Sequence, residues 1–199
     1  YLWMAASLVL LFTLWYGWSL NGGDISYGRL NKIPYVEIQW YHAAAPAILL
    51  LLTRFGIPVS TTFLVLSAFA SSIVFEKMLV KSIIGYGLAA VIAYIMWFVI
   101  ARFLDEKRSP INKGHESYWR VAQWCTTGFL WYTWLSHDLA NIAVYLPRSL
   151  PISWMIAISI IFTSFLAWIF YEKGGRIQKI VLEKSTTTYV RSATIIDLC

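Results

Sequence analysis

The sequence predicts an all-α integral membrane protein: a helical bundle built from inverted repeats, with a re-entrant hairpin and a broken helix. Three observations carry that expectation. Hydrophobic residues make up 59% of the 199-residue chain and charged residues 13%, and the apolar residues gather into runs at 2–20, 43–53, 82–101, 119–135 and 152–170. Runs near the roughly 20 residues needed to cross hydrocarbon identify spanning helices, and they are too continuous for a barrel, whose strands alternate over about 10 residues. The second observation is an apolar region interrupted by Gly56-Ile57-Pro58 and resumed after Ser60-Thr61-Thr62. The third is a pattern shared by the two ends of the chain, described below.

The first run ends at Asn21-Gly22-Gly23-Asp24, a helix stop with turn residues. It lacks the basic start and small-residue cleavage pattern of a signal peptide. Residues 25–39 read as a mixed loop with Pro34, and Trp40-Tyr41 as interface anchors. From His42 to Phe55 the apolar stretch is too short to span and suits a half-helix. Pro58 has no N–H and restricts its predecessor, so Ala43 to Ala70 is not expected to be one straight helix. Ser60 or Thr61 can cap a second arm running to about Val74. Two antiparallel arms joined at Pro58–Thr62 make the re-entrant hairpin, and a single kinked span is the alternative. The start of the second arm would offer an anion free N–H groups and the positive end of a helix dipole. The bland reading returns the hydroxyls to local carbonyls.

Glu76, Lys77 and Lys81 read as a surface segment before a span from Ser82 to Ala101, whose Gly85, Gly87, Ala89, Ala90 and Ala93 form a face suited to close helix contact. Residues 102–118 form a basic connecting loop, dividing residues 1–101, part of a first membrane repeat, from 119–199, the start of a second. The net charge of +6 comes from Lys and Arg placed mostly between spans, which fits lipid headgroups rather than nucleic acid. Cys125 and Cys199 suggest neither a disulfide framework nor a metal-thiolate site.

Within the apolar and aromatic run from Trp119 to Leu146 lies Leu135-Ser136-His137-Asp138-Leu139-Ala140-Asn141. A carboxylate there is costly unless it faces protein, a partner or an ion, so Asp138, with His137 and Asn141, is a site candidate. The alternative is simple hydrogen bonding to neighbouring helices. Adjacent helical residues diverge by about 100°, so His137 and Asp138 are poorly arranged as an acid–base pair. The shared pattern pairs Trp3-Met4 with Trp154-Met155, and Asn21-Gly22-Gly23-Asp24-Ile25 with Lys173-Gly174-Gly175-Arg176-Ile177. Repeated halves are characteristic of transporters, so the bundle reads as transporter-like and the chain as the middle of a longer two-repeat protein.

At these motifs the chain resembles the inorganic phosphate transporter family, the Pit-type cation-coupled phosphate permeases. Its members carry, in each repeat, a Gly-Ala-Asn-Asp-x-Ala-Asn helix motif and a Pro-Val-Ser-Thr-Thr hairpin motif. Residues 135–141 resemble the first and Pro58-Val59-Ser60-Thr61-Thr62 match the second; Leu135, Ser136 and His137 depart from the Gly, Ala and Asn, and Phe63 stands where many members have His. The resemblance implies symport of inorganic phosphate or a similar oxyanion with sodium or a proton, in the cell (inner) membrane. Ser60, Thr61, Thr62, His137, Asp138 and Asn141 would bind substrate, and Asp138 and Asn141 a sodium ion. It implies no catalysis and no cofactor beyond that ion. The expected partners are the bilayer and the remainder of the same protein, with a homodimer left open. Other readings are a transporter of another oxyanion, an ion channel, or a membrane-embedded hydrolase using His137 and Asp138.

Overall fold

The computed structural model describes residues 1–57, 59–99, 102, 116–174 and 190–198. They form α1 (Leu2–Leu20), a 3-10 turn (Trp40–Ala43), α2 (Ala44–Arg54), α3 (Thr61–Ser67), α4 (Ser72–Val99), α5 (Glu116–Ala143), α6 (Ile152–Tyr171) and α7 (Val190–Leu198). Among the described residues α1, α4 and α6 are long and apolar enough to cross a membrane. The architecture is therefore an all-α bundle with the helices of an integral membrane protein. Helix α5 has the length, at 28 residues, but Gln123, Thr127, His137, Asp138 and Asn141 make it more polar than those three.

Three helices end in the same way, with a left-handed residue and an N–H reaching back five positions. In α1, Gly22 has φ +59° and the Gly23 N–H donates to Trp18 O at 3.0 Å. In α2, Gly56 has φ +70° and the Ile57 N–H donates to Leu52 O at 3.1 Å. In α6, Lys173 takes φ +51° and the Gly174 N–H donates to Ile169 O at 2.9 Å. This closure satisfies carbonyls that the helix end would otherwise leave open. The caps of α1 and α6 correspond at the same offset as Trp3-Met4 and Trp154-Met155, but α2 has the same cap, so the cap alone does not mark a repeat.

The stop before the polar stretch is thus made by Gly56. The sequence reading placed the break at Gly56–Pro58; Gly56 bears it out, and Pro58 lies outside the described residues. Helix α2 begins with Pro46 in its first turn, where no intrahelical N–H is needed. The arms α2 and α3 are antiparallel: His42, just before α2, stacks on Phe69, just after α3, with ring centroids 4.3 Å apart. Tyr145 closes this base, donating its O–H to His42 O at 3.0 Å and meeting Phe69 edge-on.

The second arm is shorter than expected, ending at Ser67. After a bend the chain enters α4 at Ser72, so Glu76, Lys77 and Lys81 are turns of one 28-residue helix rather than a surface segment before it. About 42 Å of helix exceeds a hydrocarbon layer of about 30 Å, which leaves room for charged turns toward one end. The face at Gly85 and Gly87 has no atom within 4 Å of a Cβ added there, so the expected close helix contact is not made by any described residue. The expected loop at 102–118 is helical from Glu116; its other residues, save Arg102, lie outside the described residues.

Helices α1 and α6 are antiparallel, with Trp15 Nε1 donating to Ser159 Oγ at 3.1 Å and Trp18 Nε1 to Leu150 O at 2.8 Å. Helix α5 ends beside the end of α1 and the start of α6, where Ala143, Val144, Leu150, Leu14 and Met155 share the core. It therefore runs in the same direction as α1. The connection from α1 to α2 folds back into this core, burying Ile25, Leu30 and Ile33. Its hinge is an Asx turn, with Asp24 accepting from the Ser26 N–H at 2.7 Å and the Ser26 hydroxyl at 2.6 Å. Tyr27 then lies on Gly17, where a Cβ would come within 2.5 Å of the ring, and donates its O–H to Thr13 O at 2.6 Å.

Candidate functional site

The head of α3 is capped by Ser60, which has extended backbone geometry and accepts the Phe63 N–H at 3.3 Å. That is the local capping role which the bland reading assigns. The N–H groups of Thr61 and Thr62 stand at the helix head, where helical geometry provides no intrahelical acceptor. Their hydroxyls turn toward α5. Thr61 Oγ1 donates to Asp138 Oδ1 at 3.4 Å, across 77 residues of sequence.

Asn141, one turn further along α5, ties the junction together. Its Nδ2 donates to Thr62 Oγ1 and to Asp138 Oδ1, both at 3.3 Å. Its Oδ1 is buried with no hydrogen-bond partner. Turning the amide over would set that oxygen against the carboxylate, so electrostatics favour the orientation found. The three contacts are long, at or beyond the usual range for a protein hydrogen bond. The junction is loosely tied and has an acceptor in reserve.

His137 does not join it. Its Nδ1 lies 2.8 Å from Thr133 O on its own helix, and since a carbonyl only accepts, the Nδ1–H donates there. His137 and Asp138 are exposed, whereas Ser60, Thr61, Thr62 and Asn141 are half-buried. The burial expected for Asp138 is therefore corrected: the hairpin covers only one side of the carboxylate. Asp138 lies five residues, or about 7.5 Å, from the end of α5, so the head of α3 meets α5 about a turn and a half from that end.

Thr61, Thr62, Asp138 and Asn141 thus meet, Ser60 supports them from the cap, and His137 faces away. Chemically the junction offers a carboxylate, an amide oxygen and two hydroxyl oxygens, a hard set suited to a monovalent cation. Among the described residues no group of three His, Cys, Asp or Glu side chains could hold a metal ion. Sequence reasoning missed the hairpin's supports, His42, Phe69 and Tyr145. It also missed Arg29, whose Nε donates to Ser136 O at 3.3 Å, two residues before Asp138. Tyr145 had a signal, because it follows Asp138 and Asn141 at helical spacing.

No family model, curated protein or solved structure matches the chain.

Proposed function

We propose that the protein carries inorganic phosphate across a membrane together with a monovalent cation, sodium or a proton, and that both are held where the hairpin break meets Asp138 and Asn141. The observation that carries this reading is the meeting of Thr61, Thr62, Asp138 and Asn141, in which the Asn141 amide turns its Nδ2 to Asp138 and Thr62 and keeps a buried, unpartnered Oδ1. An acceptor left without a donor in a packed setting costs free energy, and a cation supplies what it lacks.

The anion would sit on the other side of the same hydroxyls, against the N–H groups at the head of α3. The two bound charges then offset one another's desolvation. The motif resemblance to the Pit-type permeases names phosphate as the anion, and His137 in place of Asn makes another oxyanion the second reading. The antiparallel pairing of α1 with α6 supports an inverted-repeat arrangement, and the antiparallel α2 and α3 support a re-entrant hairpin. No covalent step is involved in this account. A hydrolase using His137 and Asp138 gains no support from a histidine bonded to its own helix.

Isothermal titration of phosphate into the purified full-length protein, at several sodium concentrations and pH values, tests the reading. Phosphate affinity that rises with sodium or with acidity, and a loss of that dependence in folded Asp138→Asn, is the expected result. An affinity equal in wild type and Asp138→Asn at every condition removes the coupling role. Binding of sulfate but never phosphate retains the site and replaces the substrate.

A further inference from the structure

Asp197 has no part in the junction described above. It lies on α7, half-buried, and its Oδ2 accepts a hydrogen bond of 2.5 Å from Thr127 Oγ1, 70 residues away. That length belongs to the short range expected when a hydroxyl meets a carboxylate. The level of the pair follows from α5. Thr127 is five residues, or about 7.5 Å, from Tyr132, whose ring meets Phe12 in the middle of α1 at 5.9 Å between centroids. Because α1 and α5 run the same way, Thr127 and Asp197 lie within the length of α1, a helix able to cross a membrane.

Thr127 and Asp138 are eleven residues apart. Three helical turns take about 10.8 residues, so both face the same side of α5. Gln123 and Asn141 share that side, with Trp131 and Trp134 between the two stations. The hairpin tip rests on one end of this polar face and α7 on its middle.

The ligand chemistry follows from what surrounds the carboxylate. Among the described residues no basic side chain forms an ion pair with Asp197. On α5, against which α7 packs, the charged groups nearest along the face are Glu116 and Arg120, which pair with each other at 3.2 Å. Asp138, with the titratable His137 beside it, lies three turns the other way, and the Cys125 thiol is exposed. The side chain of Arg191, on α7 itself, lies outside the described residues. A sodium ion would need several more oxygens than one carboxylate and one hydroxyl, whereas a proton needs only these. An ionised carboxylate at this depth is costly, and binding a proton removes the charge.

We propose that Asp197 is a proton-binding carboxyl, held by Thr127 halfway along the polar face of α5 that leads to Asp138, and that its protonation accompanies transport through the Asp138 site. The first clause stands on the Thr127–Asp197 contact alone, and the second rests on the transport reading above. The proton adds to a carboxylate oxygen and returns to water; no bond other than O–H forms or breaks.

The test is infrared difference spectroscopy of the full-length protein in lipid as pH is stepped, with wild type, Asp197→Asn and Thr127→Val. A protonated-carboxyl band that titrates in wild type and disappears in Asp197→Asn is the expected result. Thr127→Val removes the hydroxyl from which Asp197 Oδ2 accepts, so the carboxyl band should shift in frequency, as it does when a carboxyl loses a hydrogen-bond partner. An unchanged band in Asp197→Asn, or an unchanged band frequency in Thr127→Val, overturns the proposal. The second variant decides the matter if the first does not fold. In proteoliposomes, an imposed inward proton gradient should accelerate phosphate uptake by wild type but not by Asp197→Asn, and an equal response in both overturns the transport clause. Failure of wild type to move phosphate under any gradient overturns the phosphate reading, and the infrared titration still decides the role of Asp197.

Discussion

Replacing Asn141 with leucine separates a binding role from a structural one. The substitution removes the Nδ2 contacts to Thr62 Oγ1 and Asp138 Oδ1, both 3.3 Å, and it also removes the buried Oδ1 that has no partner. Two long hydrogen bonds of this kind contribute about 0.5–1 kcal/mol each, at the weak end of the measured range. An unsatisfied buried carbonyl costs about 1–3 kcal/mol, so deleting it offsets much or all of that loss. Leucine keeps the branching and heavy-atom count of the amide. In sodium-free buffer, Asn141→Leu should therefore melt near wild type, with a stability change within about 1 kcal/mol. Sodium should behave differently. A cation held at about 100 times its dissociation constant stabilises the folded protein by about 2.7 kcal/mol, and the variant should lose most of that shift. Thermal melting of both proteins across a sodium series, with potassium as the control, gives the answer. If Asn141→Leu is strongly destabilised without sodium yet keeps the full sodium shift, the amide is a structural tie and the argument from the unpartnered oxygen is wrong.

Ser60→Ala should cost about 1 kcal/mol through loss of the α3 cap, while phosphate affinity by titration stays close to wild type, because the Ser60 hydroxyl is engaged with the Phe63 N–H. A large affinity loss with unchanged melting would assign Ser60 to the ligand. Gly17→Ala should destabilise by about 1–3 kcal/mol, since its Cβ would come within 2.5 Å of the Tyr27 ring; unchanged melting would mean the ring moves freely.

The spanning helices α1 and α6 were legible because uninterrupted apolar runs leave the backbone no alternative in hydrocarbon, and their bounds fall within a residue of those runs. The break between α2 and α3 was legible too, at Gly56–Pro58: Gly56 stops α2 by adopting a left-handed conformation. Glu76, Lys77 and Lys81 misled because charge was read as a surface segment, although long side chains on a helix longer than the bilayer can remain helical and reach its edge. The return of Tyr27 onto Gly17 left no periodic trace, since a loop folded into a core is specified by single contacts. At the junction, the polar residues stood out against apolar surroundings, and the structure brings Thr61 and Thr62 to Asp138 and Asn141. What pattern alone could not give was rotamer direction, which turns His137 toward Thr133 and commits Ser60 to its cap. Asp197 was passed over because its partner Thr127 is brought to it only by the packing of α7 on α5.

Uptake of labelled phosphate into proteoliposomes holding the full-length protein, with an inward sodium or proton gradient and with none, tests the central claim most directly. The account predicts uptake that requires one of those gradients and that is lost in folded Asp138→Asn and in Asn141→Leu. Phosphate uptake at the wild-type rate by both variants, with gradient dependence intact, would contradict it.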